Sequence, residues 1–154
     1  MLLTHAGDRY VREGPGVAFA DGHVRATAGD LDGDGRLDLV VGLARQPHVF
    51  RNLTPQPHLP IRVRVLGHDG GLNQQGRVVH LRPEADSGFV VTRVVDSGSG
   101  YMSQRDYDLH LASPFDGPHR LEVHYATGIV EAQVFPGQRL VVTPQGVRVP
   151  ARDP

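Results

Sequence analysis

The chain has 154 residues, 39% of them apolar and 6% aromatic, with no cysteine, no tryptophan and a net charge of −1. That balance gives no electrostatic drive toward nucleic acid or an anionic membrane. The lack of cysteine excludes disulfides, thiol catalysis and cysteine-based zinc sites. With 19 glycines, 12 prolines and no long amphipathic helical pattern, the composition is that of an all-β chain rich in turns.

No apolar run is long enough to span a membrane. The apolar residues at the start stop at Thr4, too soon for a signal peptide. Either the chain is cytosolic, or an upstream part has been removed. Residues 9–12 read as a short strand, Gly14-Pro15-Gly16 punctuates the chain, and 17–20 form a second apolar segment before the Asp21-Gly22 turn. Residues 23–28 alternate with period two and 37–42 are a β-branched run, so both read as strands.

Between those strands lies Asp30-Leu31-Asp32-Gly33-Asp34-Gly35-Arg36-Leu37-Asp38. Such a density of carboxylates is unfavourable unless a cation neutralises it. Ca²⁺ suits the spacing: it is a hard ion taking six to eight oxygens, with side-chain ligands at positions 1, 3, 5 and 9 of a loop and a backbone carbonyl at 7. The candidate ligands are therefore Asp30, Asp32, Asp34 and Asp38, with the carbonyl of Arg36. Gly35 at the sixth position can adopt the positive φ that the turn needs. The loop is not an EF-hand, because Val41 stands where the bidentate carboxylate belongs and the flanks are strands. The metal would tie two strands together. This stretch has four aspartates against one arginine, a net −3, so the rest of the chain sums to +2.

Residues 48–53 read as a further strand after a turn at Gln46-Pro47, and four short strands in about fifty residues match one blade of a β-propeller. The segments G-V-A-F-A-D, G-D-L-D-G-D-G-R-L-D-L-V-V-G and V-F-R-N, within 16–53, resemble the FG-GAP/VCBS repeat of integrin-type propellers. The resemblance implies a Ca²⁺-binding loop between strands. The acidic loop occurs in a single copy. A lone blade needs cover from elsewhere in the chain, a second copy or further blades.

Residues 54–59 form a Pro-rich linker, and beyond it the alternation is clear. Ile61, Val63 and Val65 share one face and Arg62 and Arg64 the other. Strands are expected at 61–66, 76–82, 89–95, 107–111, 120–125, 129–134 and 139–143. About seven strands with short turns suggest an antiparallel β-sandwich over 60–145, with 146–154 as a tail. S-G-S-G-Y-M-S-Q at 97–104, D-L-H-L at 108–111, L-E-V-H-Y at 121–125 and P-G-Q-R-L-V-V-T at 136–143 resemble the ASPIC/UnbV domain. The resemblance implies the C-terminal end of a propeller protein that is extracellular or periplasmic. It supplies no catalytic residues.

Other chemistry has weaker support. His110, His119 and His124 lack the spacing of a three- or four-ligand zinc site, although His110 and His124 could fall on neighbouring strands. Ser99 with Asp96 and His110 could form a nucleophilic triad, but the surrounding sequence is no nucleophile elbow. Glu84/Asp86 and Asp106/Asp108 read as exposed charge rather than an acid–base pair. The sequence thus points to a calcium-binding, non-enzymatic β module, residues 1–53 blade-like and 60–145 sandwich-like. It would mediate adhesion or contact with a protein or glycan partner, with self-association through the lone blade open. The alternatives are an accessory or hydrolytic enzyme of bacterial secondary metabolism and a carbohydrate-binding module.

Overall fold

The computed structural model describes residues 2–6, 9–13, 25–42, 47–55, 58–96, 98 and 106–150. Among them the chain is all-β, without a helix. Strands β1 (Leu2–Ala6) and β2 (Arg9–Glu13) form an antiparallel hairpin. Strands β3 (Arg25–Gly29), β4 (Asp38–Gly42) and β5 (Pro47–Phe50) form an antiparallel sheet in that order. The acidic loop is the β3–β4 connection.

The remaining strands make two four-stranded sheets. One has the order β11 (Gly128–Val134), β10 (His119–Tyr125), β7 (Val78–Pro83), β8 (Val91–Val94). The other has the order β13 (Gly146–Arg148), β12 (Arg139–Thr143), β6 (Ile61–Val65), β9 (Asp108–Leu111). Period-two alternation gives β6, β7, β10 and β12 one apolar face each, and these faces meet. Val63, Val79, Leu81, Leu111, Leu121, Val123 and Val142 are completely buried, with Ile61, Val134 and Leu140 almost so. Each such side chain withdrawn from water contributes about 1.5–3 kcal/mol. The outer faces carry the charge, including Arg62 and Arg64 on β6 and Arg120 and Glu122 on β10.

The structure departs from the sequence reading in four places. Strands β1 and β13 were not foreseen, and β13 falls in the expected tail. Strand β12 runs parallel to β6, with Arg139 beside Arg62 and Leu140 beside Val63, in an otherwise antiparallel pair of sheets. The strand expected at 48–53 ends at Phe50, because the next residues turn toward Asp38. His110 and His124 lie on strands of different sheets rather than neighbouring ones. The segment expected at 17–20 and the 99–104 part of the Gly-Ser stretch, including Ser99, lie outside the described residues.

Of the β3–β5 sheet, Val41 is buried, while Leu39 and Val49 are exposed, as are Leu37 and Leu53 beyond the strand ends. The sandwich closes around Tyr125, whose hydroxyl reaches the carbonyls of Val142 at 2.9 Å and Leu66 at 3.1 Å. Burial pushes its phenol up to about 12 from an ordinary 10.0, with the nearby Arg77 charge pulling weakly the other way. Since the folded value lies above the unfolded one, the protonated phenol's contribution is complete below about pH 10 and is lost as pH rises toward 12. Tyr125→Phe is expected to cost about 1 kcal/mol in urea unfolding at neutral pH. It should also flatten the fall in stability across that alkaline window.

Candidate metal centre

The acidic loop is shaped by its own carboxylates. Asp32 Oδ1 accepts from the Asp34 N–H at 3.2 Å, and Asp34 Oδ1 accepts from the Arg36 N–H at 2.9 Å. These are successive turns in which a short acidic side chain captures the backbone two residues on. Asp30 Oδ2 reaches across the loop to the Gly35 N–H at 3.0 Å. The turn places Gly33 at φ +79° and Gly35 at φ +89°, a region open to glycine. Gly35 also presses on the linker: a β-carbon there would stand 3.2 Å from Pro60 Cδ.

Asp30, Asp32 and Asp34 each bring a carboxylate oxygen within 4.8 Å of the others, a spacing that could hold one ion. Asp30 is the buried member, its side chain 2% exposed. Its Oδ2 also accepts from Arg62 Nη1 at 2.9 Å, while Oδ1 is buried without a hydrogen-bond partner. Asp38, expected as a fourth ligand, begins β4 and is buried; Oδ2 accepts from the Leu31 N–H at 3.2 Å and Oδ1 from the Asn52 N–H at 2.8 Å. It clamps the loop's start to the chain beyond β5. Asn52 Nδ2 adds a bond to the Leu37 carbonyl at 3.2 Å.

Guanidinium groups surround the carboxylates. Arg36 pairs with Asp34 inside the loop. Arg51 lies 2.6 Å from Asp32 and 3.5 Å from Asp34. Asp34 is held below the ordinary carboxyl value, first by the Arg36 N–H bond and against some desolvation, then by the Arg36 charge and by bonds from Arg51 and Asp32. The sequence did not reveal Arg51 or Arg62 as counter-ions. Alternation places Arg62 on the outer face of β6, but nothing local tells which acid it meets. The 33–35 turn, Pro60, Arg62 and Arg139 are among the residues that line a cleft of about 680 Å³.

The other candidates are engaged elsewhere. His119 is completely buried; its Nδ1–H donates to the Gly117 carbonyl at 3.0 Å, so Nε2 accepts from the Ser113 hydroxyl at 2.8 Å. A serine–histidine contact of this length suits base-assisted attack, but both side chains are buried where a substrate has no approach. No spacing or motif signals this pair. Glu84 accepts from Gln133 at 2.7 Å, and Asp86 caps its own turn at Gly88. Asp106 accepts from the Asp108 N–H at 3.3 Å, with Arg64 at 3.7 Å. Asp108 is locked between Arg64 at 2.5 Å and Arg139 at 2.8 Å.

His110 stands opposite Arg62 on β9. Both its ring nitrogens are buried without a hydrogen-bond partner. Burial pushes its pKa down; Asp30 pulls it up, Arg62 pushes it down, and Asp106 and Asp108 pull it up. His124 stacks edge-on against His80 with ring centres 5.1 Å apart, its Nε2 3.9 Å from Glu122.

Comparison of the chain with family models, with curated proteins and with solved structures finds no match. The architecture is that of an all-β protein with sandwich-like sheets and an acidic loop joining two strands of a third sheet.

The two loop glycines differ in a way that tests the packing. Gly33 has open space around it, whereas Gly35 faces Pro60. Both alanine substitutions force a left-handed residue, at about 1–2 kcal/mol. Gly35→Ala adds the contact with the linker, so its loss in urea unfolding should exceed that of Gly33→Ala.

Proposed function

We propose that this chain is a calcium-binding, non-enzymatic β module of a secreted or surface protein that mediates adhesion or protein–protein contact. The observation that carries the reading is the Asp30–Asp32–Asp34 cluster, with Asp30 Oδ1 buried and lacking a donor. A carboxylate oxygen in that condition is costly unless a cation or water reaches it. The donor set is all oxygen and carries three negative charges, which favours a hard divalent ion over a transition metal. Asp38 and the carbonyl of Arg36 are kept as further ligands that would raise the coordination number, although both Asp38 oxygens already accept backbone N–H groups. The chemistry the ion would supply is structural: it would take over part of the arginines' compensation of the carboxylates and stiffen the β3–β4 connection.

The resemblance to FG-GAP/VCBS repeats and to ASPIC/UnbV domains supports the same reading and gives the extracellular or periplasmic setting. The exposed Leu37, Leu39, Val49 and Leu53 around the three-stranded sheet support a partner-binding role. At ten times the dissociation constant, Ca²⁺ is expected to stabilise the chain by about 1.4 kcal/mol, a rise in melting temperature of about 3–6 °C over the same protein in EDTA. Asp32→Ala should abolish the difference. Superimposable melting curves for wild type in calcium and in chelator would remove the reading.

A further inference from the structure

We infer that Arg51 is the resident counter-cation of the acidic loop and the residue that sets its affinity for a divalent metal, a reading that rests on the calcium proposal. Arg51 immediately follows β5, and its Nη2 bridges Oδ2 of Asp32 at 2.6 Å and Oδ2 of Asp34 at 3.5 Å. These two residues, with Asp30, form the acidic cluster. A guanidinium and a hard cation seek the same oxygens, and both are positive. Metal binding at this loop is therefore an exchange, ion for guanidinium.

The three arginines around the cluster are not equivalent. Arg62 comes from β6, is only 26% exposed, and takes Oδ2 of Asp30 while leaving the buried Oδ1 without a partner. Arg36 belongs to the loop itself and holds Asp34 alone, with its side chain 25% exposed. Arg51 alone touches two of the three clustered carboxylates, and its side chain is 59% exposed. It cannot be displaced by losing a proton, since a guanidinium stays charged. It leaves by swinging into water, which its exposure permits. The main chain does not have to follow, because the N–H of the next residue, Asn52, stays on Asp38.

Two consequences follow from the exchange. The loop is already compensated before a metal arrives, so its affinity is lower than three bare carboxylates would give. The site then belongs to the weak class of extracellular modules, with dissociation constants of about 10⁻⁴–10⁻³ M. Arg51 also sets a threshold: an ion must carry enough charge to outcompete a guanidinium, which favours divalent over monovalent cations.

The test uses the full chain and Ca²⁺ alone, titrated by calorimetry and by competition with a chromophoric chelator. Arg51→Gln keeps a polar side chain but removes the charge, and it should bind Ca²⁺ about three- to tenfold more tightly than wild type. Arg51→Lys keeps the charge and should stay within about twofold of wild type. If wild type binds and Arg51→Gln binds equally or more weakly, the exchange is overturned while the calcium reading stands. If neither protein binds at up to about 10 mM, ten times the weak end of the extracellular range, the calcium reading itself falls and takes this inference with it.

Discussion

The ion pair between Asp30 and Arg62 is the constraint on which the arrangement of the acidic loop depends. One carboxylate serves two masters: Oδ2 receives the Gly35 N–H from inside the loop and the Arg62 guanidinium from β6. The loop's curvature and its attachment to the sandwich are therefore fixed by the same atom. With the Asp30 side chain 2% exposed, the charge has little water to fall back on. Removing either partner of such a pair strands the other, at about 3–5 kcal/mol. Leu59 and Pro60 reinforce the joint from below, with Pro60 against Gly35 and Leu59 against Gly137 of the β11–β12 turn.

Arg62 can play this part because of the pairing of β6 with both its neighbours. Antiparallel β9 sets His110 opposite Arg62 and Asp108 opposite Arg64. Parallel β12 sets Arg139 beside Arg62. Three strands thus contribute to one outer face, where Asp108, its side chain 4% exposed, accepts from Arg64 and Arg139 at once. His110 lies among these charges with burial opposing its protonation. The lowered pKa keeps His110 from adding a fourth cation beside Arg62, Arg64 and Arg139. The face is ionic, but its pairs are matched, which is the condition under which buried charge is tolerated.

Much of the fold was legible in the sequence where one face of a strand is buried and the other is not. Residues 61–65 and 119–125 alternate cleanly because Ile61, Val63, Leu121 and Val123 enter the core while Arg62, Arg64 and Glu122 do not. Strand β13 escaped notice because its three residues hold a single apolar side chain, Val147, too little for a period to register. The parallel pairing of β12 with β6 is a contact between segments some seventy residues apart, and local pattern carries no information about it. The acidic loop was legible as a spacing, and the positive φ at Gly35 followed from it. The division of labour within the loop was not. Asp38 accepts from Leu31 and Asn52, and the second of these bonds needs β5 in place. Arg51 reaches Asp32 across eighteen intervening positions only because β4 and β5 fold back on each other.

The repulsion among closely spaced aspartates that suggests a metal from sequence alone is already answered within the chain. Arg36, Arg51 and Arg62 come from the loop, the end of β5 and β6, and between them they face Asp30, Asp32 and Asp34. Backbone N–H groups satisfy further oxygens of the same carboxylates and of Asp38. An ion arriving at such a loop meets a formed turn rather than an unfolded one. On the calcium proposal, the ion would stiffen the joint between the acidic loop and β6 and redistribute arginines, not nucleate folding as structural zinc does in very small domains. The sandwich has its own core, which no residue of the acidic loop joins.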